Sequence, residues 1–183
     1  GFHFNELKGD IAMNKAQLPK FKYHPNIYES DIVEFLEGEC DCCHKKTEAY
    51  IQTMYCVEEV NCICMECVAS GVAADKFNGT FIQDADEIDN AEAKEELFKR
   101  TPGYISWQGE NWQACCNDYC EYIGTVGTKE LEELGLADVF FEADGSFDGY
   151  EDAREYLVKD GSFCGYLFRC LHCGKYKMYV DAD

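Results

Sequence analysis

Positively charged residues are scarce in this chain. Its 183 residues include 16 Lys and Arg against 36 Asp and Glu, which gives a formal net charge of −20 at pH 7. Contacts to phosphates supply most nonspecific affinity for DNA or RNA, and a field of this sign repels the phosphate backbone. We therefore expect no nucleic-acid binding, and the partner that such a surface attracts is basic. The alternative is that the acidity serves only to keep the protein soluble.

Long apolar runs are also lacking. No segment approaches the run of about 18 apolar residues that a membrane-spanning helix requires, so no membrane insertion is expected. The first twenty residues include Glu6, Lys8, Asp10 and Lys15 and contain no continuous apolar stretch of the kind found in secretory signals. This pattern predicts a cytoplasmic protein, whose 13 cysteines would stay reduced as thiols.

The motifs of several common enzyme classes are missing as well. The nearest approach to a phosphate-binding loop, Gly124-Thr125-Val126-Gly127, is too short and has no lysine. No strand-to-helix nucleophile elbow of the Gly-x-Ser-x-Gly type occurs. We therefore expect no catalytic residues and no organic cofactor.

Cysteine is the abundant residue, and eight of the cysteines form four short pairs. A two-residue gap lets a tight turn present two thiolates to one metal ion while backbone N–H groups point at the sulfurs. Since tetrahedral Zn²⁺ needs four soft donors, the pairs predict two structural zinc ions, each closed by four thiolates and without an open position for catalysis. The predicted ligands are Cys40, Cys43, Cys64, Cys67, Cys116, Cys120, Cys170 and Cys173.

Neighbouring cysteines leave the ligand register open at three places, which are Cys42/Cys43, Cys62/Cys64 and Cys115/Cys116. Cys43 and Cys64 are favoured because they complete two-residue gaps. Cys116 is favoured because it lies four residues before Cys120, and residues i and i+4 share one face of a helix. The surplus cysteines are expected to be small buried hydrophobes with unreactive thiols, and they are Cys42, Cys56, Cys62, Cys115 and Cys164.

The expected fold class is α+β, with two small zinc-stabilised lobes joined by a helix. Each lobe would consist of zinc-ribbon or treble-clef-like knuckles with β-hairpins. Alternating residues at 163–169 and 176–180 flank the last cysteine pair and predict one such hairpin, while the Ala-, Glu- and Lys-rich segment 91–100 predicts the helix. The predicted boundaries are 1–17 for an N-terminal extension, 18–86 for the first zinc lobe, 87–102 for the connecting helix and 103–183 for the second zinc lobe.

Both tryptophans of the chain lie within six residues of each other, at Trp107 and Trp112. Such density is typical of a packed corner or of a binding surface, and burial in a core is the commoner outcome. The polar Gln108-Gly109-Glu110 segment between them is expected to turn at the surface. Trp107, Gln108, Glu110 and Trp112 are therefore the candidate partner-binding residues.

Several motifs occur together within residues 18 to 181, namely Leu18-Pro-x-Phe-Lys-Tyr-His-Pro25, the four cysteine pairs, Trp107-Gln-Gly-Glu-x-Trp112 and Phe168-Arg-Cys-x-x-Cys-Gly174. In this combination the chain resembles the CbrC-like family of bacterial zinc-ribbon-like proteins. The resemblance implies a largely uncharacterised family whose name is linked with tolerance to nuclease colicins and for which no enzymatic activity is established.

The resemblance and the charge point to one hypothesis by separate routes. Nuclease toxins carry basic, DNA-binding active sites, so an acidic protein with exposed aromatic residues could bind one by electrostatically steered association, as immunity proteins do. We therefore hypothesise a zinc-binding acidic interaction protein, immunity-like, whose partner is a basic protein such as a toxin nuclease domain. The alternatives are a thiol-dependent redox protein, since Cys-x-x-Cys is equally a thiol–disulfide exchange motif, and a zinc-ribbon adaptor in a regulatory assembly.

Overall fold

The computed structural model describes residues 15–143, 147 and 152–182, which form two compact units. The first unit combines the described residues up to Gln83 with Ala91–Tyr104, and the second combines Asp84–Asn90 with the described residues from Ile105 onward. Helices and small antiparallel sheets occur together, which confirms the prediction of an α+β fold. Most of the predicted extension at residues 1–17 lies outside the described residues.

From residue 18 onward, the described part of the first unit contains very short strands and three α-helices. Its described strands form two antiparallel pairs, β1 (Gly38–Glu39) with β2 (Lys46–Thr47) and β3 (Tyr50–Ile51) with β4 (Ile63–Cys64). A single 3-10 turn, Ile27–Glu29, precedes them. The helices are α1 (Met65–Ser70), α2 (Val72–Phe77) and α3 (Ala91–Arg100).

A tight junction joins α1 to α2 at Gly71. This residue has a φ of 81°, in the left-handed region that glycine enters without a steric penalty. Its N–H donates to the carbonyl oxygen of Val68 at 3.2 Å and closes the first helix, as glycine often does after a helix end. The junction lets the two short helices pack against each other.

Helix α3 packs on α1 and α2. Its buried residues Ala93 and Leu97 lie four positions apart on one face, and the N–H of Phe81 donates to the carbonyl oxygen of Phe98 at 2.7 Å. An amphipathic helix needs an apolar surface to cover that face. The structure therefore places the segment predicted to connect two lobes inside the first unit, so the predicted boundaries at 86 and 102 differ from those of the structure.

The largest sheet that the structure describes belongs to the second unit. Its antiparallel strands β7 (Glu121–Val126), β8 (Phe163–Arg169) and β9 (Tyr176–Ala182) pair in the order β7-β8-β9. The hairpin of β8 and β9 carries Cys170 and Cys173 at its turn, as the alternation of residues predicted. A smaller antiparallel pair consists of β5 (Ala114–Cys115) and β6 (Asp118–Tyr119).

Two groups of side chains pack against β8 in the second unit. Leu167 joins a hydrophobic core to which α4 (Thr128–Glu133), the π-helical turn Val139–Ala143 and α5 (Ala153–Tyr156) contribute. Its neighbour Phe168 contacts the rings of Trp112 and Tyr122, with centroid distances of 5.8 and 5.2 Å. Successive residues of a strand point to opposite faces, so β8 supports packing on both sides of the sheet.

Candidate metal centres

Four cysteines of the first unit converge on one point. The sulfur atoms of Cys40, Cys43, Cys64 and Cys67 all lie within 4.8 Å of one another, and those of Cys43 and Cys64 are 3.9 Å apart. Cys40, Cys64 and Cys67 are buried, and Cys43 is partly exposed. The structure thus brings together the four cysteines that were predicted for the first site.

A knuckle between β1 and β2 presents two of these cysteines. The N–H of His44 donates to the carbonyl oxygen of Cys40 at 2.8 Å, and the N–H of Cys40 donates to that of Lys45 at 3.0 Å. His44 has a φ of 61°, which lets the chain reverse within the turn. The N–H groups of Cys42 and Cys64 donate to the Cys40 sulfur at 3.4 and 3.3 Å. Such donors favour the thiolate form of that sulfur.

The other two cysteines of the first group lie where β4 passes into α1. Cys64 is the last residue of β4 and the N-cap of α1, and Cys67 lies in the first turn of that helix. Residues three apart at this junction lie on the same side of a helical turn. The strand-to-helix transition therefore directs both sulfurs at the knuckle.

The second group consists of Cys115, Cys116, Cys170 and Cys173. Their sulfurs also lie within 4.8 Å of one another, and the Cys115 sulfur is 3.7 Å from that of Cys116 and 3.7 Å from that of Cys173. Cys120, which was predicted as a ligand, lies outside this group. Cys115, which was predicted to be a surplus cysteine, takes its place.

The difference arises because residues 114–119 form a hairpin. Cys116 and Asn117 join β5 to β6 with φ values of 57° and 52°, and residues on either side of them are paired in register. Two left-handed residues in this position are typical of a type I′ turn. The prediction of a helix from Cys116 to Cys120 was therefore wrong, and Asn117, a residue type that tolerates the left-handed conformation, was the sequence signal for the turn.

The second knuckle repeats the backbone geometry of the first. Its turn is closed by the N–H of Gly174, which donates to the carbonyl oxygen of Cys170 at 3.1 Å, and by the N–H of Cys170, which donates to that of Lys175 at 2.8 Å. Gly174 has a φ of 76° and takes the position that His44 occupies in the first knuckle. The N–H groups of His172 and Cys173 both donate to the Cys170 sulfur at 3.4 Å. The two halves of the chain thus share a local structure as well as a cysteine spacing.

These hydrogen bonds shift the acidity of the first cysteine in each knuckle. Burial opposes ionisation of Cys40, but N–H donors from Cys64, Cys43 and Cys42 outweigh it and hold the pKa of this thiol below its usual value. At Cys170 burial is again overcome by backbone donors, and the pKa falls to about 6. Each knuckle therefore favours ionisation of its first cysteine. A cation would favour ionisation of the remaining thiols, because metal ligation releases their protons.

A lysine side chain donates a hydrogen bond to the backbone beside each group of cysteines. The Lys76 ammonium, on α2, donates to the carbonyl oxygen of Cys42 at 2.7 Å. The Lys177 ammonium, on β9, donates to the carbonyl oxygen of Ala114 at 2.6 Å. In each case the accepting residue directly precedes a cysteine of the group. Each lysine thus holds the backbone beside the sulfurs and places a positive charge nearby.

The surplus cysteines have varied surroundings. Cys42, Cys62 and Cys164 are buried, as predicted. Cys56 is partly exposed, and its thiol donates to the carbonyl oxygen of Glu58 at 3.2 Å. Cys120 is buried as well, so it behaves as the core cysteine that Cys115 was expected to be.

The four candidate partner-binding residues divide into two sets. Trp107 is 65% exposed, and Gln108 is exposed beside it. Trp112 is completely buried, and its indole N–H donates to the carbonyl oxygen of Cys120 at 2.9 Å. Glu110 is buried too. The structure therefore places Trp107 and Gln108 at the surface and Trp112 and Glu110 in the interior.

The fold and these two groups define a class of small cysteine-rich α+β proteins in which two sets of four thiols could each hold a metal ion. Residues 18–182 match the Uncharacterised protein family (UPF0167), and the chain belongs to this family.

Several relatives are similar over nearly their whole length. The UPF0167 protein PA1536 of Pseudomonas aeruginosa is 34% identical over 175 residues, which cover 91% of this chain and 97% of the relative. The UPF0167 proteins Mb2317 of Mycobacterium bovis and MT2352 of Mycobacterium tuberculosis are each 32% identical over 176 residues, covering 90% of this chain and 94% of the relative. No solved structure matches the chain. Among the residues that the structure describes, no helix has the length and apolar character needed to cross a bilayer.

Proposed function

We propose that the protein binds two structural zinc ions, one in each group of four cysteines. The observation that carries this proposal is the spacing of the sulfurs. Zn–S bonds of about 2.3 Å in a regular tetrahedron place the four sulfurs roughly 3.8 Å apart. The sulfur separations of 3.9 Å in the first group and 3.7 Å in the second are close to this value.

The chemistry of the donors supports the same choice. Sets of four thiolates favour soft or borderline metals such as Zn²⁺ over Mg²⁺ or Ca²⁺, which prefer oxygen. Zinc would supply cross-links between segments far apart in the sequence, joining Cys40 to Cys67 and Cys115 to Cys173. The protein's own contribution is to hold the knuckles with backbone hydrogen bonds and to favour ionisation of the first cysteine in each.

Elemental analysis of protein purified without added metal tests this proposal, together with thiol titration before and after chelation. We expect about two zinc ions per chain, as the two groups dictate, and eight additional reactive thiols after chelation. Metal-free protein with readily oxidised cysteine pairs would refute it. That result would instead favour the thiol-dependent redox alternative.

We further propose that the acidic surface binds a basic protein. Eight bound thiolates and two divalent ions would change the formal charge of −20 by −4, to about −24. A field of this size accelerates encounter with a basic partner. Trp107 and Gln108 supply an exposed aromatic and an exposed polar contact, and tryptophan is enriched among residues that dominate binding energy. A nuclease-type toxin domain is the partner class that the colicin-linked resemblance suggests, in an immunity-like role.

Binding to a purified, catalytically inactive nuclease toxin domain, measured at several salt concentrations, tests the partner proposal. We expect an affinity that falls as salt rises, and at least a roughly tenfold loss for Trp107→Ala. Tyr156→Ala is the matched control, because Tyr156 is 60% exposed in the same unit and lies far along the chain. An equal loss of affinity in the two variants would count against the surface around Trp107. No binding at low salt would count against this class of partner.

A further inference from the structure

The two groups of cysteines differ in their access to solvent. In the first group Cys40 is fully buried, and Cys64 and Cys67 are only 6% and 7% exposed. In the second group Cys116 and Cys173 are both exposed and Cys170 alone is buried. Two sulfur-bearing residues of the second group therefore face water.

The architecture explains this difference. Cys40, Cys64 and Cys67 belong to the hydrophobic core of the first unit, where they pack with residues such as Met65 and Val68. The second group instead lies between two hairpin turns, β5–β6 and β8–β9. The hydrophobic core around Leu167 is built from other residues of that unit. Three cysteines of the first group are thus covered by the core and Cys43 is partly exposed, whereas the second group is held at the ends of two hairpins.

Exposure to solvent matters because the sulfur of a metal-bound thiolate is still a nucleophile. The rate at which it attacks an electrophile depends on thiolate character and on access. Metal ligation supplies thiolate character to both groups, so access is the property that distinguishes them.

We propose that Cys116 and Cys173 form a modification site for soft electrophiles, and that their modification releases the metal ion of the second group while the first group keeps its own. This inference rests on the proposed binding of two zinc ions. The second site is then the exchangeable one, and the first is the permanent structural site.

The reaction with a maleimide illustrates the step. The sulfur of Cys116 adds to one carbon of the carbon–carbon double bond, an S–C bond forms and the π bond breaks. The resulting enolate takes a proton from water. No oxidant or reductant is consumed, and the zinc ion leaves because the thioether is a far poorer ligand than the thiolate.

The test is to treat metal-loaded protein with N-ethylmaleimide and follow zinc release with a chromogenic chelator. We expect one equivalent to be released at least roughly tenfold faster than the other, a barrier difference of about 1.4 kcal/mol. Peptide mapping at the end of the fast phase should find label on Cys116 or Cys173 and none on Cys40, Cys64 or Cys67. Release of both ions in one phase, or labelling of the first group before the second, would overturn the inference.

Two variants sharpen the experiment. Cys116→Ser removes one of the two exposed nucleophiles of the second group and should slow the fast phase several-fold if the serine variant still binds two ions. Cys56→Ser is the matched control, since it removes a partly exposed thiol outside both groups and should leave both phases unchanged. If Cys116→Ser binds only one ion, that ion should show the slow phase alone, and a fast phase in that variant would refute the assignment.

Failure of the inference is separable from failure of the proposed function. Protein that holds no zinc before treatment refutes the proposed function and this inference with it. Protein that holds two zinc ions and loses them together refutes only the inference.

Discussion

Removing Cys115 and removing Cys120 should have opposite consequences for metal binding. The Cys115 sulfur lies 3.7 Å from those of Cys116 and Cys173, whereas Cys120 lies outside both groups and is fully buried. Cys115→Ala therefore deletes a proposed ligand, and Cys120→Ala deletes one buried sulfur from the core.

The expected magnitudes follow from this geometry. Structural zinc sites in small domains bind with apparent free energies of about 10–16 kcal/mol, so one ligand in four is worth roughly 3–4 kcal/mol, or about 10²- to 10³-fold in affinity. Cys120→Ala removes a single buried heavy atom and should lower the free energy of unfolding by about 1 kcal/mol. The indole of Trp112 donates to the backbone carbonyl of Cys120, so this hydrogen bond survives the substitution.

Zinc per chain, measured after dialysis against a weak chelator, distinguishes the two outcomes. Cys115→Ala should retain about one ion and Cys120→Ala about two. Urea unfolding of the zinc-loaded proteins checks the predicted stability of Cys120→Ala. The reverse result, with one ion in Cys120→Ala and two in Cys115→Ala, would refute the hairpin and restore the helical register that the spacing of the cysteines favours.

Three further predictions concern Trp112, His24 and Lys76. Trp112→Ala should lower the free energy of unfolding by about 3–5 kcal/mol because the indole is completely buried, whereas Trp107→Ala should change it by less than about 0.5 kcal/mol; chemical denaturation measures both. Burial lowers the pKa of His24 from about 6.5 to about 4, so the unfolded chain takes up the proton first and stability is lost as pH falls from about 6.5 towards 4. Relative to His24→Gln, the natural protein should lose about 2 kcal/mol between pH 7 and pH 5, and a parallel pH dependence in the two proteins would contradict this. Lys76→Met removes the hydrogen bond to the carbonyl oxygen of Cys42 and should weaken the proposed zinc binding by the first group about tenfold. Chelator competition checks this, with the second group as an internal control that should not change.

The cysteine turns are the part of the site that local sequence could predict. In Cys40-x-x-Cys43 and Cys170-x-x-Cys173 the spacing itself predicts a tight turn, because two cysteine side chains only three residues apart must point in the same direction to reach one metal ion. The alternation of residues on either side of Cys170 likewise predicted the hairpin that the structure contains. These features depend on backbone geometry over fewer than about ten residues, which a single sequence expresses directly.

The choice between Cys115 and Cys120 was not local in this way. A helix and a two-residue turn were both compatible with the spacing of Cys116 and Cys120, and the outcome depended on pairing β5 with β6 and on the approach of a knuckle more than fifty residues away. The same holds for α3, whose Ala-, Glu- and Lys-rich composition predicted a helix but not which surface its buried face would cover.

The sequence by itself therefore determined the chemistry of this protein: an acidic α+β chain with two knuckles and enough thiols for two metal ions. Only the tertiary structure decided which thiols meet, that Trp112 is interior while Trp107 faces solvent, and that one group of cysteines lies in a core and the other at the ends of two hairpins. The spacing of cysteines along the chain determines which thiols one turn can bring together. Contacts between distant segments determine which other thiols those meet, and such contacts depend on packing that no local pattern encodes.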